Sequence, residues 1–166
     1  HWDSDSSVRV EKSPPNLLRF RLLQQIFPGA LCVAVLRHPL SVAQSARSKG
    51  GRSRLRSRRS LVEHWLHCHE LFAADKPSLQ QLVVLRYEEL VAAPSSGLDG
   101  VFSALGLPGI PATEDLDRGR DADHAARMRS RVSRTPRPSG VLQLGDRVLA
   151  WGYSLEGFGR PSDGTR

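Results

Sequence analysis

Apolar positions fall into short runs whose period changes along the chain. Val8-Arg9-Val10 alternates and stops at Ser13-Pro14-Pro15, where two prolines remove backbone donors, predicting a short strand and a turn. Leu18, Leu22 and Ile26 recur every four residues between a capping Asn16 and a Phe27-Pro28-Gly29 stop, predicting an amphipathic helix whose stripe faces a sheet. Ala30 to Leu36 is continuously apolar and bounded by Pro28-Gly29 and Arg37-His38-Pro39, the pattern of a parallel strand buried on both faces.

A helix is predicted from Pro39 through Val42, Ala43 and Ala46, ending at Gly50-Gly51. Leu61, Trp65, Cys68 and Phe72 mark one face of a longer helix, capped by Ser60 and closed before Pro77. Leu82 to Leu85 reads as a second buried strand, and Leu98, Val101, Phe102 and Leu105 as a helix between Pro94 and Gly106. A polar, irregular stretch over 108–140 precedes a short apolar segment from Val141 to Tyr153, and residues 156–166 read as a flexible tail. The order β-α-β-α-α-β-α predicts an α/β layered fold with a mainly parallel sheet. Ligands then sit at the carboxyl ends of the strands, where this reading places Lys12, Arg37 and Tyr87. The 166 residues suit one domain, taken as 1–155.

With 39 % hydrophobic and 25 % charged residues and only short apolar runs, neither wholesale disorder nor a helical membrane span fits the sequence. The net charge of +7 changes the picture less than it first suggests: seven basic and no acidic residues lie between Arg47 and Arg59, and the remainder is balanced. That run reads either as a solvated loop or as a surface for an acidic glycan or peptide; without interleaved aromatics it does not suit nucleic acid. Two cysteines, Cys32 and Cys68, build no disulfide framework and leave the redox compartment open. His64, His67, Cys68 and His69 share one helix and cannot close a tetrahedron, so no metal is expected; Cys68 reads as core and the histidines as a solvated face.

The predicted strand ends gather the cations Lys12 and Arg37 with the hydroxyls of Ser41, Ser45 and Tyr87, a set suited to phosphate or sulfate. Arginine offers a planar fork to two anionic oxygens, whereas lysine acts as a point charge.

In order and separation, several segments resemble the sulfotransferases. Val10-Glu11-Lys12-Ser13-Pro14 is similar to their Glu/Asn-Lys-Xaa-Pro segment, and Phe27 to Ser45 resembles their 3′-phosphate-binding signature, in which a strand ends in Arg-Asp-Pro and a serine follows eight residues after the arginine. Trp65, Leu85-Arg86-Tyr87-Glu88-Glu89-Leu90, Leu105-Gly106-Leu107-Pro108 and Trp151-Gly152-Tyr153 continue the likeness, which is closest to the Golgi carbohydrate and tyrosylprotein sulfotransferases and their bacterial relatives.

The resemblance implies a three-layer fold related to the P-loop kinases and transfer of a sulfuryl group from 3′-phosphoadenylyl sulfate (PAPS) to a hydroxyl or amine of a carbohydrate, protein tyrosine or small molecule. By that likeness Arg37 and Ser45 hold the 3′-phosphate, Lys49 and Tyr87 contact the cofactor, and Lys12 is the catalytic lysine beside the transferred group. Arg134 and Arg137 stand where the family closes a loop over the nucleotide. A second copy of the chain is a further expected partner, and the family places eukaryotic members in the Golgi lumen and bacterial ones in the cytoplasm. A non-catalytic module that holds a nucleotide or polyanion is the alternative.

Two departures stand out. His38 replaces the family's aspartate after the arginine, and no Gly-Thr/Ser-rich loop with its following carboxylate base precedes His1. The expectation is therefore an amino-terminally truncated sulfotransferase domain that lacks a central strand, with Glu11 pairing with Lys12 rather than replacing the base.

Overall fold

The computed structural model describes residues 5, 8–48, 56–109 and 140–155. Strands β1 (Cys32–Leu36) and β2 (Leu82–Arg86) pair in parallel, in the unbroken register from Cys32↔Leu82 to Leu36↔Arg86. The helices in chain order are α1 (Phe20–Ile26), α2 (Pro39–Ser48), α3 (Arg58–Asp75), α4 (Tyr87–Ala92), α5 (Pro94–Ala104) and α6 (Gly145–Leu149). The mixed architecture with a parallel sheet agrees with the expected α/β class.

Side-chain alternation along β1 decides which helices cover which face. Cys32, Ala34 and Leu36 are buried, Cys32 and Ala34 against Phe20 of α1 and Phe72 of α3, and Leu36 among Leu61, Val62, Trp65 and Leu66 of α3. The opposite face carries Val35, 51 % exposed, and Val83, which lies near Gly100 of α5. The C-terminal segment completes the first layer: Val141, Leu144, Val148, Tyr153 and Leu155 are buried in the same cluster as α3.

Several expectations from the sequence differ from the structure. Val8 to Val10 form no strand; Val10 is 79 % exposed, and the prolines at the start of the 3-10 turn Pro14–Leu18 supply no ladder donors. The sheet therefore has two strands among the described residues, and Lys12 is not at a strand end. In α1 the stripe Leu18, Leu22 and Ile26 faces solvent, because the bulkier Phe20 turns its own side inward together with Leu17 and Leu23. In α3 the cap is Ser57, whose hydroxyl accepts the Ser60 N–H at 3.0 Å; Cys68 is only half-buried, whereas His69 is buried.

At the opposite end of the sheet, Gln24 clamps the strand entries. Its amide nitrogen donates to the carbonyls of Ala30 and Gln81, and its oxygen accepts the Gln80 N–H. Leu82 to Arg86 is half-buried or exposed throughout, so β2 lies at the margin of the core, unlike the fully buried strand expected. Among the described residues no helix is long and apolar enough to cross a membrane.

Candidate anion-binding site

Because Leu36 and Arg86 form the last rung of the parallel ladder, the next residues of both strands emerge side by side. Arg37 and Tyr87 meet there, the guanidinium carbon 4.2 Å from the ring centroid. A ring beneath the guanidinium attracts its charge and restrains it at the strand ends, and the fork of a guanidinium suits two anionic oxygens.

One residue further along, the same juxtaposition repeats in polar form. The His38 N–H donates to Glu88 Oε1 at 2.9 Å. The other carboxylate oxygen, Oε2, accepts the Tyr153 hydroxyl at 3.2 Å. Burial first, and then the adjacent Glu88 carboxylate, push the Tyr153 phenol far above its ordinary range, so it stays a donor. Arg86 donates to the Trp151 carbonyl at 2.9 Å and lies over the Tyr153 ring at 4.9 Å, while its second terminal nitrogen is a buried donor with no acceptor among the described residues.

His38 itself is 2 % exposed and begins α2. Its carbonyl accepts the Val42 N–H at 3.1 Å, and its Nδ1 lies 3.2 Å from the Leu40 nitrogen as acceptor. Those are the two bonds of a helix N-cap, with Pro39 at the first helical position. Nε2 lies 2.9 Å from the Ser154 carbonyl. Since a carbonyl only accepts, Nε2 carries the proton and Nδ1 is left free to cap.

The helix so started carries Ser41, buried, and Ser45, half-buried, one turn apart on the same face. Ser45 contributes its carbonyl to the Ser48 hydroxyl. The structure thus brings Arg37 and Tyr87 into contact and starts the Ser45 helix directly after them. Lys12 is exposed on the irregular segment before the 3-10 turn, and among the described residues it makes no hydrogen bond or ion pair. Glu11 does not pair with Lys12; its carboxylate accepts the Asn16 amide instead. Lys49, Arg134 and Arg137 lie outside the described residues, as do residues 49–55 of the Arg47 to Arg59 run and the 156–166 tail.

Sequence reading missed Glu88, Tyr153 and the capping role of His38. The signal for the last was present, since a residue before an N1 proline is by position an N-cap. Glu88 and Tyr153 are 65 residues apart in sequence, and nothing local announces that pair.

A family model described as sulfotransferase family matches residues 1–111. The chain belongs to the sulfotransferase family. No curated protein and no solved structure matches it. The matched span ends after α5, so the sulfotransferase match contains Arg37, His38, Tyr87 and Glu88, while Ser154, the partner of His38, and Tyr153, the partner of Glu88, come from the segment beyond it.

Proposed function

We propose that this sulfotransferase-family chain binds PAPS at the carboxyl ends of β1 and β2 and moves its sulfuryl group to an acceptor hydroxyl or amine. The observation that carries this reading is the Arg37–Tyr87 stack at the end of the last sheet rung, followed at once by the capped helix bearing Ser41 and Ser45. A guanidinium whose fork has no hydrogen-bond partner among the described residues, next to hydroxyl donors, fits a dianionic 3′-phosphate. In this reading Arg37 and Ser45 hold that phosphate, Tyr87 orients Arg37, and Lys49 adds a further positive charge.

Sulfuryl transfer resembles phosphoryl transfer in needing in-line positioning and charge stabilisation more than covalent help. Lys12 is assigned the leaving oxygen, where an ammonium offsets developing negative charge. Arg37 and Ser45 only bind, so their loss raises the cofactor KM more than it lowers kcat. The acceptor class follows from the family alone: a carbohydrate, a protein tyrosine or a small molecule.

A second reading, a nucleotide-holding module without turnover, draws on the exposed position of Lys12, which no hydrogen bond or ion pair holds among the described residues. Thermal unfolding with 3′-phosphoadenosine 5′-phosphate (PAP) tests the binding claim common to both. A ligand at a hundredfold its Kd stabilises by about 2.7 kcal/mol. PAP is expected to raise Tm in the wild type and not in Arg37→Ala; equal shifts in both proteins reject the site. Sulfate transfer from PAPS to a panel of phenols and sugars then separates the readings, with Lys12→Ala losing turnover under the first.

A further inference from the structure

We infer that His38 is a positioning residue of the anion site, working only as the neutral, Nε2-protonated ring, so that protonating it loosens the grip of Arg37 and Ser45 on their anion. The inference rests on the site proposed above and goes beyond it, since neither the family match nor the anion-site residues assign His38 a role.

The ring is held on three sides by groups that define its proton. Nδ1 accepts from the Leu40 N–H, which no other described group caps. Nε2–H donates to the Ser154 carbonyl, fixing the ring from the C-terminal segment. The edge-to-face contact with Tyr153, ring centroids 5.4 Å apart, fixes its plane. A second proton has only Nδ1 to occupy, where it meets the Leu40 N–H head on and replaces a hydrogen bond with a donor–donor clash. The first turn of α2 must then shift or fray, and that turn sets Ser41 and Ser45 relative to Arg37, one residue before His38.

Among the described residues, charged and titratable groups approach His38 from several elements. Glu88 of α4 approaches through the His38 backbone N–H, Tyr153 through its ring, Arg86 at the end of β2 from behind Tyr153, and Arg37 is its chain neighbour. Glu88 favours the charged ring and the two arginines oppose it. A bare charge argument gives the opposite prediction to ours, because a new cation beside the site attracts the anion. An aspartate, which the resemblance noted above places here in sulfotransferases, is a carboxylate near neutral pH and has no proton to give the Ser154 carbonyl.

Reciprocity supplies a test in the unmodified protein. If protonation weakens anion binding, saturating anion must lower the His38 pKa by the logarithm of the same factor. Loss of one N-cap corresponds to about fivefold, hence a downward shift of about 0.7 pH unit. The His38 ring nitrogens are followed by nitrogen NMR against pH, with and without saturating PAP, and the free spectrum must show the Nε2–H tautomer. A raised or unchanged pKa in bound protein, or an Nδ1–H tautomer, overturns the proposal while leaving the site intact. No saturable binding of PAP at all defeats the site and this inference together. His38→Asn provides the check by variant: its amide oxygen caps α2 at every pH, so its PAP affinity should overtake that of the wild type by about fivefold on acidification, after cancelling the titration common to both from the phosphate itself. Parallel pH profiles contradict the proposal.

Discussion

Arg37 and Tyr87, the first residues beyond the last rung of the sheet, meet as a cation over a ring at 4.2 Å. Neither side chain needs the other for the core, and both are half-buried at the strand ends. The ring is therefore a support for the guanidinium. Tyr87→Phe keeps the ring face and should bind PAP as the wild type does. Tyr87→Leu should weaken PAP about two- to fivefold, the range of an exposed cation–π contact, as read by calorimetry.

Glu88 joins the strand ends to the C-terminal segment through His38 and Tyr153. Tyr153→Phe removes one hydrogen bond to a partly exposed carboxylate and should cost about 0.5–1.5 kcal/mol in urea unfolding. A double-mutant cycle with Glu88→Gln should return most of that value as coupling. Simple additivity would mean that the two residues do not communicate.

Phe72 is 2 % exposed and meets Phe20 edge to face, ring centroids 6.1 Å apart, at the seam of α1, α3 and β1. Phe72→Ala should cost about 3–5 kcal/mol, enough to lower Tm by several degrees or more. Leu22→Ala on the exposed stripe of α1 should stay within about 0.5 kcal/mol.

His69 is stacked on Trp65 with ring centroids 3.8 Å apart, and its Nδ1–H donates to the Trp65 carbonyl at 2.7 Å. Burial lowers its pKa below the ordinary 6.5, with the carbonyl bond partly opposing. Above 6.5 the ring is neutral in folded and unfolded chains and adds no pH dependence. Below 6.5 the unfolded chain takes the proton first, so stability falls with pH until the lower folded pKa is passed. His69→Phe keeps the stacking and should show a smaller loss of urea midpoint between about pH 7.5 and 5.5; an unchanged loss would place the acid sensitivity elsewhere.

Much of the frame was legible because it is local. The continuous apolar run between Gly29 and Arg37 marked a strand, although Val35 leaves its second face exposed where burial on both faces was expected, and Pro39, Pro94 and Gly106, the last at φ 62°, punctuate helices where their backbone chemistry requires. The failures came where tertiary context decides. Leu18, Leu22 and Ile26 carry a correct helical period, yet Phe20 buries more surface, and the whole stripe rotates outward. Val8-Arg9-Val10 alternates like a strand, but a strand needs a neighbour, and among the described residues none pairs with it. His69 lay among polar neighbours and read as solvated; it is buried between its stack on Trp65 and the approach of Trp151, ring centroids 5.3 Å away, from the C-terminal segment. At the site, Arg37 and Tyr87 were both legible as strand-end residues, whereas the hold of Tyr153 on Glu88 is a long-range closure without a local pattern.

The central claim is that Arg37 is the anchor of a phosphate site at the strand ends. Calorimetric titration with PAP of the wild type and Arg37→Ala, beside adenosine 5′-phosphate as the nucleotide without a 3′-phosphate, tests it most directly. The account predicts saturable binding that needs both Arg37 and the 3′-phosphate, falling at least tenfold when either is removed. Equal, salt-sensitive binding of both nucleotides by both proteins would contradict it and leave only a basic surface attracting anions.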